Sequence, residues 1–136
     1  MRPTKEKLSL NTKSFLKDLV VTLGLSLNLA ATYLALFIWK LNFLYCAVIN
    51  LVFALIFSIY IKNLTKSIVS SVISIITGGI IGLGIVLMPS LLHGNSYEII
   101  DLTIKVYVIF ISKLAVFNLV LCVFSSIFGF LLAGDK

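Results

Sequence analysis

Four long runs of apolar residues fill most of this 136-residue chain. An α-helix rises about 1.5 Å per residue, so about 20 apolar residues cross a hydrocarbon layer about 30 Å thick. Each run is long enough for one crossing, and the four lie at about 19–39, 42–61, 68–92 and 106–133. The pattern therefore predicts an all-α integral membrane protein, with a four-helix transmembrane domain in residues 18–134.

Composition supports the same class. Hydrophobic residues make up 60% of the chain, and its mean hydropathy is +1.16. A water-soluble domain of this size leaves too much of its chain at the surface to hide that much apolar area. The connectors are too short to form a second domain, so we expect one domain, in lipid.

The connectors predict how consecutive helices are joined. Only Lys40, Leu41 and Asn42 separate the first two runs, so the chain must turn sharply there, with Asn42 as the expected N-cap of the second helix. Asn95 and Glu98 have the spacing of a capping box, which starts the fourth helix near Ser96. We expect two antiparallel helical hairpins, with a fourth helix longer than one crossing needs.

Basic residues predict the orientation. The tail, residues 1–17, carries five Lys or Arg, and the second connector carries Lys62 and Lys66, whereas the first connector has only Lys40 and the third has none. Because Lys and Arg are enriched in cytoplasmic loops, both termini are expected on the cytoplasmic side. The expected location is the plasma membrane. The tail is expected to be disordered, or to form a short surface helix attracted to anionic lipid. The net charge of +6 is explained by these helix ends and does not indicate nucleic-acid binding.

The third run has a ridge of small side chains at intervals of four residues, made by Ser70, Ser74, Gly78 and Gly82. Residues four apart lie on one face of a helix, so a neighbouring backbone can approach closely there. Such stripes recur where transmembrane helices pack together. We expect this ridge to be a helix-packing surface.

Polar side chains occur once per run near the middle of the bilayer, at Asn28, Asn50, Thr77 and Asn118. An unpaired amide in hydrocarbon costs several kcal/mol, so we expect these side chains to point inward and to bond one another. Two interpretations remain open. The cluster either holds the helices together or forms a binding site or path for a small solute or ion.

Lys113 is the charged residue that falls nearest to the hydrocarbon. A span of residues 114–133 would place it at the outer boundary, where its side chain reaches the headgroups. If the span begins earlier, Lys113 lies in the membrane and would bind an anion or the carboxylate of a partner. The first interpretation is favoured, and the second stays open.

Catalysis is not expected. The chain has five carboxylates and a single histidine, His93, which lies in a connector, and no Cys/His spacing indicates a metal site. Cys46 and Cys122 lie at different depths and are expected to be free thiols. We therefore expect neither an enzyme nor a resident cofactor or metal.

Two known families share parts of this pattern. Gly78-Gly79 and Lys113, with four spans and a basic tail, resemble the small accessory subunit of bacterial rotary ATP synthases. Gly24 and Asn28 are similar to residues of small four-span proteins implicated in moving lipid-linked sugars. We assign the chain to neither family.

Three functions fit the sequence. The first is a non-catalytic accessory or assembly subunit that packs against other membrane proteins, as a homo- or hetero-oligomer. The second is a protomer of an oligomeric transporter or channel that uses the midplane polar cluster. The third is a holin-like pore former, for which the small size and the charged tail are the only indications.

Overall fold

The computed structural model describes residues 5–94 and 96–134. Within these ranges the chain forms four helices, each long and apolar enough to cross a membrane. They are α1 (Lys5–Phe37), α2 (Phe43–Ile61), α3 (Leu64–Leu92) and α4 (Tyr97–Ala133). The predicted all-helical class is confirmed, and so are four helices with the length and composition needed to cross a membrane.

The helix starts follow local sequence signals. The Asn42 side chain accepts a hydrogen bond from the Leu44 backbone N–H at 3.0 Å, which confirms the predicted cap of α2. Asn63 caps α3 in the same way, accepting from the Lys66 N–H at 3.0 Å. α4 begins immediately after Ser96, as predicted, although the Ser96 side chain makes no capping bond. Asn95, the other residue of the predicted capping box, lies outside the described residues.

α1 has different ends from the predicted first membrane span, residues 19–39. α1 begins at Lys5, so most of the predicted tail continues the membrane helix as one element of 33 residues. Adding turns to an existing helix is far easier than nucleating a new one, and the lysines and leucines of this segment are good helix formers. The helix ends at Phe37, two residues before Trp39, because the backbone turns at Lys40 with a φ of 50°. Residues 1–4 lie outside the described residues.

The helices do not pack mainly against their sequence neighbours. α1 packs most extensively against α3, α2 packs against α4, and α3 also packs closely against α4. Asp18 contacts Lys66 and Thr22 contacts Ser70, so contacts between α1 and α3 advance in the same direction along both helices. The order around the bundle is therefore α1, α3, α4, α2.

Polar and apolar residues are arranged inside out compared with a protein in water. Ser26 and Ser74 are fully buried, whereas Leu92 and Val116 are 77% and 68% exposed. In water this distribution would be unfavourable twice over, because it hides polar groups and exposes apolar ones. In lipid it places each group in favourable surroundings, which supports a membrane location.

The small-residue ridge of α3 lies inside the bundle. The Ser70 hydroxyl is 2.7 Å from that of Thr22, and the Ser74 hydroxyl donates to the Thr22 carbonyl at 3.0 Å. A Cβ added at Gly78 would lie 2.8 Å from a backbone carbonyl oxygen of α1. At Gly82 it would collide with a tyrosine hydroxyl of α4. The ridge therefore packs against helices of the same chain.

We expect Gly78→Ala to destabilise the bundle, because backbone of α1 lies where the new methyl group would be. Overpacking of this kind costs about 1–3 kcal/mol. Gly84→Ala is the matched control, since an added Cβ there meets nothing within 4 Å. It should be neutral, or stabilising by up to about 1 kcal/mol through better helix propensity. Thermal unfolding in detergent measures both, and equal midpoints for the two variants would contradict the close packing of α3 on α1.

Candidate functional site

Three of the four predicted midplane side chains are joined by hydrogen bonds across three helices. Asn28 Nδ2 donates to Asn50 Oδ1 at 2.8 Å, and Thr32 Oγ1 donates to the same oxygen at 2.9 Å. On the other side, Asn50 Nδ2 donates to Asn118 Oδ1 at 3.1 Å. Asn118 Nδ2 then donates to the Tyr33 hydroxyl at 3.4 Å. We call these five residues the amide network.

Asn50 is the centre of this network. Only 2% of its surface is exposed, and its side chain bonds α1 through its oxygen and α4 through its nitrogen. Asn118 is similarly buried, whereas Asn28 is half-buried at the edge of the bundle. The network therefore joins three helices at one level, as interhelical hydrogen bonds in membranes do.

Thr77 does not belong to the amide network, contrary to the proposed single cluster. Its hydroxyl lies 2.6 Å from that of Ser26 and also donates to the carbonyl of Ile73, one turn earlier in α3. The reason is the order of the helices. α3 packs against α1 and α4 and has little contact with α2, so Thr77 pairs at the α1/α3 interface instead of reaching Asn50.

Two members of the amide network, Thr32 and Tyr33, were not predicted from the sequence. Thr32 lies one turn after Asn28 and therefore on the same face of α1, a signal that was available. No such signal was available for Tyr33, because a tyrosine in a membrane helix usually indicates only how near it lies to the membrane surface. Its contact with Asn118 depends on the neighbour order, which the sequence pattern does not specify.

A second set of hydroxyl contacts joins α2, α3 and α4 nearer to the carboxyl-terminal end of α4. Ser58 Oγ donates to the Ser126 carbonyl at 3.0 Å, and the hydroxyls of Ser67 and Ser126 are 2.9 Å apart. α2, α3 and α4 meet at this point. Gly129 makes the approach possible, since an added Cβ would lie 2.6 Å from the Ser58 side chain.

Tyr107 is an exception to the pairing of interior polar groups. Among the described residues, its hydroxyl is the one buried side-chain group without a hydrogen-bond partner. The ring stands edge-on to Phe37, with 5.3 Å between centroids, and the hydroxyl lies over Gly82. Nothing in the sequence pattern singled out this residue.

Lys113 is exposed on the outer face of α4. Two hydrogen-bonded pairs join α2 to α4 at a constant separation of 68 residues, one of them Asn50–Asn118. The same separation puts Lys113 level with Tyr45, two residues and about 3 Å inside the first residue of α2. From 113 to the end of α4 at 133 there are 20 residues, or about 30 Å. This register favours a position near the membrane boundary.

The amide network can bind but has little reactive chemistry. Its amides and hydroxyls are neutral, so they orient a ligand or a helix through hydrogen bonds and do not act as acid or base at ordinary pH. In the described part of the chain, no three His, Cys, Asp or Glu residues lie together as a metal site would require. Cys46 and Cys122 are both free and buried, as predicted.

Grooves between neighbouring helices lie on the outer surface of the described bundle. Two adjoining cavities of about 310 and 350 Å³ run between α1 and α3 and share Phe15, Asp18, Thr22 and Ile73. A third, of about 300 Å³, lies between α3 and α4 and is lined almost entirely by apolar side chains, including Ile80. Small residues on α3 leave room for these grooves between larger aliphatic neighbours.

Comparison with known proteins adds no assignment. The chain matches no family model, no curated protein and no solved structure.

We expect Asn50→Ala to destabilise the bundle more than Thr77→Val, since Asn50 bonds three side chains on two helices and Thr77 bonds one. A double-mutant cycle of Asn50→Ala and Asn118→Ala should give a coupling between about 0.6 and 1.7 kcal/mol, the average and the maximum for hydrogen bonds between membrane helices. Reversible unfolding in mixed micelles measures it. A coupling of zero would show that the observed contact does not stabilise the fold.

Proposed function

We propose that this chain is a non-catalytic membrane subunit or assembly factor, whose rigid bundle supports other membrane proteins. One observation carries the proposal. Asn28, Asn50, Thr77 and Asn118, the side chains best placed to bind a solute, all form hydrogen bonds between helices. Groups already paired with one another hold a scaffold together, whereas a transport site needs groups that can exchange partners with a ligand.

Partners are expected on the outer surface. The Ser/Gly ridge that suggested a docking face packs within the chain, so another protein must use a different surface. The groove between α3 and α4 is the best candidate, because Gly79 leaves a shallow depression between Ile80 and Ile111. Close fit of this kind is what drives helix association in lipid.

A transporter or channel protomer is the second candidate. The buried Tyr33 hydroxyl accepts a hydrogen bond from Asn118, and the unpaired Tyr107 hydroxyl offers a hydrogen bond to a molecule in the interior. Four helices alone would need to oligomerise to surround a path. The holin-like alternative gains no specific support.

We further propose that α1–α2 and α3–α4 are antiparallel hairpins with both termini in the cytoplasm. Contacts support the first pair, since Lys17 bonds Tyr60 while Asn28, farther along α1, bonds the earlier residue Asn50. The orientation rests on the excess of Lys and Arg at the end where α1 begins.

Reporter tags test the orientation. A cytoplasm-active reporter fused at either terminus should be active, and one inserted after Gly94 should be inactive, because α3 and α4 separate these positions by a full crossing. A periplasm-active or externally active reporter provides the reciprocal control. Termini in different compartments would refute the hairpin topology.

Site-specific photo-crosslinking in native membranes tests the proposed function. A photoreactive residue at Ile80, in the α3/α4 groove, should capture a different membrane protein, whereas one at Leu27, exposed on α1, should capture far less. Adducts only between copies of this chain would contradict an accessory role in a hetero-oligomer.

The purified chain in lipid vesicles should carry no solute or ion flux above that of protein-free vesicles. Flux that is lost in Asn118→Leu or Lys113→Ala would instead support the transporter alternative. Both variants should first be checked for an unchanged oligomeric size, since Asn118→Leu also removes interhelical hydrogen bonds.

A further inference from the structure

The two adjoining cavities between α1 and α3 form one continuous groove on the lipid-facing side, which we call the α1/α3 groove. Its mouth is lined by Asp18, Thr65 and Lys66, and its far end by Ser26 and Thr77. From Lys66 to Thr77 the groove extends over 11 residues of α3, or about 17 Å. That distance is close to half the thickness of the hydrocarbon layer. The groove therefore has the length of one leaflet.

The walls of this groove suit an acyl chain. Phe15, Leu19 and Leu23 line it from α1, and Val69 and Ile73 line it from α3. All five are apolar, while the charged side chains are confined to one end. A molecule with a charged head and a hydrocarbon tail matches this gradient.

The mouth of the groove is positively charged overall. Lys66 pairs with Asp18 at 2.8 Å, and Lys62 is exposed next to Ile61, a residue of the mouth. At the same end, Lys17 Nζ donates to the Tyr60 carbonyl and lies 4.0 Å from the ring centroid of Tyr60. Among the side chains described at this end, three cations accompany one acid.

We propose that the α1/α3 groove is a binding site for an anionic phospholipid. Its phosphate contacts Lys66, with Thr65 as a further hydrogen-bond donor, and one acyl chain lies along Val69 and Ile73 toward the middle of the bilayer. Basic pockets between transmembrane helices bind such headgroups. The assignment depends on neither the proposed function nor the compartment that this end faces.

Because of the Asp18–Lys66 ion pair, loss of an acidic side chain is expected to change lipid affinity in a specific direction. Asp18 already occupies the Lys66 ammonium, so a phosphate must compete with this carboxylate. Removing the charge of Asp18 should therefore strengthen lipid binding, although the same change breaks a contact between two helices. A role for the pair in helix packing alone predicts the opposite or no effect.

Native mass spectrometry of the purified full chain, titrated with phosphatidylglycerol or phosphatidylcholine, tests the site. Lys66→Gln should weaken phosphatidylglycerol binding about fivefold, the equivalent of about 1 kcal/mol for one basic residue at a membrane surface. Asp18→Asn should strengthen it, and phosphatidylcholine binding should change less than twofold in both. Asp101→Asn and Lys105→Gln are matched controls, because that ion pair, at 2.6 Å, lies within α4 and outside the groove.

A second pair of variants tests the acyl-chain part without changing charge. Ile73→Trp fills the groove and should reduce phosphatidylglycerol binding, whereas Val72→Trp, at a neighbouring exposed position outside the groove lining, should not. The proposal is overturned if Asp18→Asn weakens binding or leaves it unchanged, or if Lys66→Gln does not weaken it. It is also overturned if the Asp101 and Lys105 variants have the same effects as those at the groove, or if the two lipids bind alike.

Discussion

Hydrocarbon offers no hydrogen-bond partner, so a polar side chain in a membrane helix must find one on a neighbouring helix or on its own backbone. Apart from the Tyr107 hydroxyl, the described polar interior of this bundle follows that constraint. Serines, threonines and asparagines face one another, most large aliphatic side chains face outward, and a few, such as Leu25, Leu29 and Ile75, form an apolar core. Hydroxyls of α3 bond their own backbone as well as α1, as Thr77 does with Ile73 and Ser26. Polar pairing acts beside this apolar core in bringing particular helix faces together.

Close packing completes what the hydrogen bonds begin. Interhelical bonds in membranes contribute only about 0.6 kcal/mol each on average, so contact between helix surfaces must supply much of the remainder. Gly78 and Gly129 allow this contact, because a side chain at either position would occupy space already filled by the neighbouring helix. The serine and threonine side chains at these interfaces are short, so the helices lie near enough for both close packing and hydrogen bonding. Small and polar residues are thus two parts of one packing solution.

Local features of the chain were predictable, and relations between distant helices were not. The Asn42 cap and the start of α4 after Ser96 each depend on residues within one turn of one another. The partner of Thr77 depends on which helices are neighbours around the bundle. Hydropathy predicts the length of each helix and its position across the membrane. It does not specify which helices are neighbours, because many arrangements around the bundle have the same lengths and positions. Hydrogen bonds bring the three asparagines together at one level, whereas Thr77 bonds Ser26 at the α1/α3 interface.

Two ion pairs among the described residues differ in what they connect: one lies within a single helix, and the other joins two helices. Asp101–Lys105 joins adjacent turns of a single helix, where such a pair contributes a few tenths of a kcal/mol and constrains little else. Asp18–Lys66 joins helices whose residues are 48 positions apart, at the end of a row of hydroxyl contacts between α1 and α3. Its two side chains are 32% and 53% exposed, so the pair is open to competition from other ions. A charge that competes for Lys66 acts directly on the contact between the first and second halves of the chain. The membrane surface, more than the paired interior, is therefore where we expect this protein to respond to its surroundings.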